Sequence, residues 1–227
     1  MKKYILLFVC LLGFGFANAQ FTGVGIKAGY TNYKFNDELL AQSAGSFHVG
    51  AFTNYGFEFS DMFFVQGGLL FTKKGCLLDK TSPGMLLGNE NDIDYTRKYN
   101  YRAWYLNVPI SVGLRHDFSE DMFIHFNVGP SFNIGLFGDT DIETQGAAHQ
   151  VHYEGDGVFE TFSLMKRFDI SAFVSAGFSY KNFFLDFSYD YGFIPVMKDK
   201  STEAKATNGC FMISVGFMLP LNEGNSL

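Results

Sequence analysis

The chain has 227 residues, with 17 Lys and Arg set against 23 Asp and Glu, for a net charge of −6. That acidic balance, with no basic patch, excludes a nucleic-acid partner. Phe occurs 28 times although the mean hydropathy is only +0.04, and a water-soluble core rarely needs so many rings.

The first segment reads as a targeting signal. Lys2 and Lys3 precede an apolar run from Tyr4 to Phe16, and Ala17-Asn18-Ala19 supplies small residues two apart. The run is short for a spanning helix, which needs roughly 20 apolar residues. Cys10 lies inside this run with Val9 before it, which argues against a lipoprotein. Cleavage after Ala19 is expected, with residues 1–19 as signal peptide and 20–227 as one domain. No later stretch is apolar and long enough to cross a membrane as a helix.

From there the chain alternates with a period of two, which sends successive side chains to opposite faces of a strand. Val24, Ile26, Ala28 and Tyr30 oppose Gly25, Lys27, Gly29 and Thr31. Phe47, Val49, Ala51, Tyr55 and Phe57 oppose His48, Gly50, Asn54 and Glu58. Phe63, Val65, Leu69 and Phe71 oppose Gln66, Gly68 and Thr72. Trp104 to Leu114 alternates with Tyr105, Asn107, Ser111, Gly113 and Arg115. Met122 to Leu136 alternates with Phe123, His125, Asn127, Gly129, Ser131 and Asn133. Phe168 to Tyr180 opposes Asp169, Ser171, Ser175, Gly177 and Ser179. Phe183 to Phe193 opposes Asp186, Ser188, Asp190 and Gly192, and Phe211 to Leu219 opposes Cys210, Ser214 and Gly216.

This predicts eight strands, near 22–35, 44–59, 62–78, 97–117, 122–138, 163–180, 183–196 and 208–219. The connections alternate in length. Ser60-Asp61, His116 to Asp121 and Lys181-Asn182 are tight, while 36–45, 79–96, 139–162 and 197–207 are longer and polar. Outer-membrane barrels sort their loops in this way, with short periplasmic turns and long external loops, and an even strand count closes without an edge. The expected fold is all-β: an eight-stranded antiparallel up-and-down transmembrane β-barrel in the outer membrane of a Gram-negative bacterium.

Several stretches resemble the PorT-like outer-membrane β-barrel family. Gly25-Ile26-Lys27-Ala28-Gly29 is similar to its opening strand, and Tyr105-Leu106-Asn107-Val108-Pro109 to its Tyr-Leu-Glu-Ile-Pro stretch, with Asn107 in place of the acid. Gly129-Pro130-Ser131, Arg167-Phe168-Asp169-Ile170, Ala176-Gly177-Phe178-Ser179-Tyr180 and Tyr189-Asp190-Tyr191-Gly192 follow in the family's order, with Ser175 or Ala176 where a Gly often stands. The resemblance implies an eight-stranded outer-membrane barrel and no single activity. The family's namesake takes part in protein secretion and surface assembly. Many outer-membrane barrels end on an aromatic residue, whereas this chain continues from Phe217 through Pro220 to Leu227.

On this reading the lumen receives a polar cluster. Lys27, Glu58, Gln66, Arg115, His125 and Asp186 fall in the periplasmic half, with Asp169 and Asp190 higher. Lys27 and Arg115 balance Glu58 and Asp186. Buried charges are costly unless paired, and so narrow a barrel is filled by side chains, so a salt-bridged plug is expected. His125 with Asp186 could instead be a general base and its orienter, but no nucleophile with a supporting motif accompanies them.

Other candidates are weaker. His149 and His152, with Glu154 and Asp156, have loop spacing that a metal could use, yet such a loop is usually solvated. Cys76 and Cys210 belong to strands that are not neighbours, which opposes a disulfide, since that needs Cα atoms within about 7 Å. No cofactor or metal is expected. Trp104, Tyr189, Tyr191 and Phe193 at the outer rim, and Phe57, Phe118 and Tyr180 at the periplasmic rim, suit an interfacial aromatic belt. The expected partners are outer-membrane lipid and other envelope or secretion proteins. The rival readings are an outer-membrane enzyme acting on lipid or peptide, and a soluble periplasmic barrel binding an apolar ligand.

Overall fold

The structure is a computed structural model that describes residues 19–36, 41–57, 60–82, 95–145, 152–155, 166–195 and 206–220. Its strands in chain order are β1 (Ala19–Asn36), β2 (Ala41–Gln42), β3 (Ala44–Phe57), β4 (Ser60–Ser82) and β5 (Tyr95–Ser119). They continue with β6 (Met122–Gln145), β7 (His152–Gly155), β8 (Phe168–Tyr180), β9 (Phe183–Gly192) and β10 (Thr207–Pro220).

Eight of these strands form a closed antiparallel ring. In order around the wall they run β1, β3, β4, β5, β6, β8, β9 and β10, and β10 returns to β1. β2 and β7 are short additions to β4 and β6. The expected up-and-down barrel is the observed architecture. The lengths differ from expectation. β4, β5 and β6 run further towards the long-loop end than their alternation suggested, whereas β8 begins only at Phe168 and β9 ends at Gly192.

The period of two sorts the side chains. Val128 is 49 % exposed while its neighbour Asn127 is 1 % exposed. The same contrast holds around the ring: Ile26, Val49, Leu69, Val112, Phe126, Phe178, Leu185 and Val215 point outward. A continuous apolar exterior of this extent suits lipid and not water. One irregularity breaks the pattern. The β5–β6 register shifts between Trp104 and Tyr105, pairing them with Phe137 and Gly135 and leaving Leu136 as an extra residue. Leu136 and Phe137 are consequently both exposed on the outside, as a bulge allows.

The tight turns gather at one end with Ala19 and Pro220, so this is the periplasmic end. Lys181, in the β8–β9 turn, has φ of 53°, the only positive value for a non-glycine among the described residues. Its N–H donates to the Asp121 carbonyl at 2.7 Å, and the Asn182 side chain donates to the Met218 carbonyl at 2.9 Å. These bonds tie the β8–β9 turn to the β5–β6 turn and to the end of β10.

Candidate functional site in the lumen

The inward side chains form three levels. The lowest centres on Lys27 from β1, whose Nζ donates to Asp186 Oδ2 of β9 at 2.9 Å. His125 Nε2 from β6 lies 3.5 Å from the other oxygen of Asp186. Lys27 also sits 5.6 Å from the centre of the buried Phe173 ring, so its charge has both a carboxylate and a π face.

The middle level is a neutral network. The His48 ring spans from Thr31 Oγ1 to Ser214 Oγ, at 2.8 Å from each, and Thr31 also reaches Thr72 at 3.3 Å. Tyr33, Leu70, Phe173, Cys210 and Met212 pack as the apolar fill beside it.

The upper level is built around Lys74. Its Nζ donates to Asp190 Oδ2 at 2.8 Å and lies 4.0 Å from Asp169 Oδ2. Asn107 donates to Asp190 and Asn208 to Asp169, each at 3.0 Å. Lys74 thus stands where the two carboxylates would otherwise draw a cation. Ser131, Asn133 and Ser171 form a hydrogen-bonded group of their own between β6 and β8.

These positions can be set against the expected cluster. Lys27, Asp186 and His125 come together in the lower lumen, and Asp169 and Asp190 meet higher up. Gln66 donates to Asn54 Oδ1 at 2.9 Å and takes no part in the charged group. Arg115 departs from the expected balance. Its Nε donates to Asp117 at 2.7 Å, and its guanidinium lies 3.9 Å from the centre of the Phe123 ring, at the lumen mouth. Asp117, two residues on and on the same face, is closer to hand than any acid across the barrel. Glu58 lies outside the described residues, as do His149 and Asp156, and the side chains of Cys76, His152 and Glu154 are likewise not described. Cys210 is buried and free.

Lys74 and His48 were not singled out from the sequence, although both share the inward parity of their strands. The larger surprise is aromatic. Phe123, read as inward from its alternation, is joined there by Phe52, Phe64, Phe173 and Phe184, which do not join the lipid face. Glycine makes the room for three of them. Phe52 is paired with Gly25, Phe64 with Gly113 and Phe184 with Gly216, and a Cβ on any of these glycines would collide with the ring opposite. His125 lies across Gly177 in the same way. A ring laid flat over a cross-strand glycine covers bare backbone and keeps to the wall.

This arrangement leaves a cavity of ≈ 560 Å³ in the periplasmic half, bordered by Lys27, Asp186, His125, Arg115, Gln66 and the flattened rings. Phe57 borders this cavity too, at a register shift between Gly56 and Phe57, so it stands at the mouth as well as at the rim. The other belt residues lie outside. Trp104 stacks on Phe71 with centroids 4.5 Å apart and planes 7° apart, and Phe47 and Phe137 flank it. The Tyr189 hydroxyl donates to Asn36 Oδ1 at 3.3 Å, and Tyr191, Phe193, Phe118 and Tyr180 are exposed.

The model of the outer membrane protein beta-barrel domain family matches residues 16–198. No curated protein sequence matches the chain. Similar solved structures include Ail, the attachment invasion locus protein of Yersinia pestis, at 14 % identity and a TM-score of 0.40, covering 88 % of this chain and 100 % of that one. Neisserial surface protein A aligns at 15 % identity and a TM-score of 0.40, covering 86 % and 96 % of the two chains. The N-terminal β-barrel domain of OprF from Pseudomonas aeruginosa aligns at 12 % identity and a TM-score of 0.34, covering 88 % and 99 %. The family match spans most of the barrel, and the chain belongs to the outer membrane protein beta-barrel domain family, resident in the Gram-negative outer membrane.

Proposed function

We propose that this protein is a non-enzymatic interaction component of the cell envelope, whose lumen is a plug and not a channel. The observation that carries the reading is the stack of three polar levels, in which Lys27 pairs with Asp186, His48 bridges Thr31 and Ser214, and Lys74 holds Asp190 and Asp169. The buried cations of this stack are engaged by carboxylates, so their charges stabilise the filling and offer no passing ion a site. Its working surfaces are then the lipid face, the external loops and the periplasmic end. Export through a cleaved signal peptide at residues 1–19 accords with this address. The resemblance to the PorT-like family favours a place in a secretion or surface-assembly apparatus, with other envelope proteins as partners.

Planar bilayer recording tests the plug. The pure protein is expected to give no steady large conductance, and a stable open pore would overturn the reading. The contact of His125 with Asp186 beside an open cavity favours a second reading, an outer-membrane enzyme acting on lipid or peptide. A hydrolytic rate abolished by His125→Ala in a correctly folded barrel would decide for it.

A further inference from the structure

The lower third of the lumen is organised unlike the rest. Above it, side chains meet across the barrel and fill it. Below, three inward rings are turned aside onto glycines, and the space beside them opens towards the periplasm. Phe52, Phe64 and Phe184 each lie over a cross-strand glycine, and the fourth such pair holds His125 over Gly177. A barrel that needed only filling would let these rings project inward. Four pairs in one band hold a chamber open.

The chemistry of the wall narrows what the chamber accepts. Its charged groups are largely committed to one another: Lys27 to Asp186 at 2.9 Å and Arg115 to Asp117 at 2.7 Å. Among the described residues, Asp61 at the exposed mouth is the remaining acid. This near-balance disfavours a strongly ionic ligand. What the wall offers is flat apolar faces beside planar hydrogen-bonding groups. Gln66 and Asn54 bond to each other at 2.9 Å, and the Asn54 amide donates only to the Met218 sulfur, a weak acceptor, at 3.3 Å. A sugar ring has the matching character, with C–H faces that pack on aromatic rings and hydroxyl edges that both donate and accept. The volume of ≈ 560 Å³ lies within the usual range for small-molecule sites.

We infer that the periplasmic vestibule is a binding site for a short neutral saccharide, packed against Phe64 and Phe184 and hydrogen-bonded by Gln66, Asn54 and Arg115. The sugar enters from the periplasm and stops below the Lys27–Asp186 pair. The inference rests on the lumen being closed above that pair, because a through-pore would give the chamber no floor.

The test uses the folded full chain in phosphatidylcholine nanodiscs, which avoid sugar-headed detergents, with N,N′-diacetylchitobiose and maltose as probes. Amide resonances of Gly25, Gly113, Gly177 and Gly216 should shift saturably with at least one of the two sugars, while those of Asn107 and Ser131 stay in place. Gln66→Leu should weaken binding about three- to tenfold, the equivalent of one net hydrogen bond. Arg115→Met, at the exposed mouth, provides a second variant should Gln66→Leu fail to fold. Lys73→Gln, on the lipid side, should bind like the parent. No saturable shift with either sugar, or shifts that neither lumen variant weakens, would overturn the site. A wild-type protein silent in bilayers that binds no sugar overturns the vestibule alone, whereas one that conducts overturns the plug beneath both readings.

Discussion

Lys74 Nζ lies 2.8 Å from Asp190 Oδ2, and both side chains are almost wholly withdrawn from water, at 1 % and 0 % exposure. An ammonium placed there is tolerated only because carboxylates face it, and the carboxylates only because of the ammonium. Lys74→Met should therefore destabilise the barrel by about 3–5 kcal/mol, since Asp190 and Asp169 lose their common partner. Adding Asp190→Leu should recover a large part of that loss. Urea titrations of the protein folded in liposomes, followed by the heat-dependent mobility of the barrel on a denaturing gel, measure both. A double variant no better than the single one would show that the pair does not act as a unit.

The glycine seats make a second contrast measurable. A Cβ at Gly113 would meet both the Phe64 ring and Asn127 Oδ1, whereas nothing lies within 4 Å of one built at Gly67. Gly113→Ala should cost about 1–3 kcal/mol, the usual penalty for overfilling a packed site. Gly67→Ala should stay within about 0.5 kcal/mol of the parent. Combining Gly113→Ala with Phe64→Leu should give less than the sum of the two single losses, because the clash disappears with the ring. Equal effects at Gly113 and Gly67 would count against the ring-on-glycine packing.

Much of this was legible in the residues, for a physical reason. A strand between lipid and a polar interior must alternate, so Val128 beside Asn127 and Phe187 beside Asp186 declare their faces without any tertiary information. Alternation also carried Lys27, Asp186, Asp169 and Asp190 to the inside. It does not report partners. Arg115 was expected to balance acids across the lumen, yet it takes Asp117 on its own strand. Lys74 lay inside the expected strand 62–78, and its parity with Gln66 and Thr72 places it inward, but the alternation was traced only as far as Thr72. Phe52, Phe64, Phe173 and Phe184 were hidden for a different reason. A count of apolar residues assigns rings to lipid, and only the cross-strand register shows that Phe64 stands opposite Gly113 and Phe184 opposite Gly216.

The lipid face can be separated from a merely exposed one. Val128 is the seventh residue of β6 from its periplasmic end, 49 % exposed, among Phe126, Ile110 and Val112 on the same outer surface. On a water-facing sheet, Val128→Arg would be nearly neutral. In the hydrocarbon zone it should cost about 2–4 kcal/mol, falling to about 0–1 kcal/mol for the same change near a rim, as at Tyr180. The comparison is made by equilibrium unfolding in bilayers of defined thickness. Equal costs at Val128 and Tyr180 would argue against a membrane boundary between them.

Trp104 offers the most direct reading of where the outer boundary lies, because it is the chain's only tryptophan. It stacks on Phe71, with Phe47 at 5.3 Å and Phe137 at 6.1 Å between ring centres, and Lys73 Nζ lies 4.7 Å from the centre of its ring. A lysine whose ammonium tops an aromatic cluster on the outer wall belongs at the headgroup level, where its stem lies against apolar rings and its charge reaches water. Quenching by lipids brominated at different depths should therefore be strongest when the bromines lie nearest the headgroups. It should fade as they move towards the chain ends. Placing a second tryptophan by Val128→Trp, with Trp104→Phe to silence the first, should reverse that order, since Val128 lies well below Phe137, the β6 partner of Trp104. If Trp104 were quenched best by the deepest bromines, the aromatic cluster would sit within the hydrocarbon and could not mark the rim.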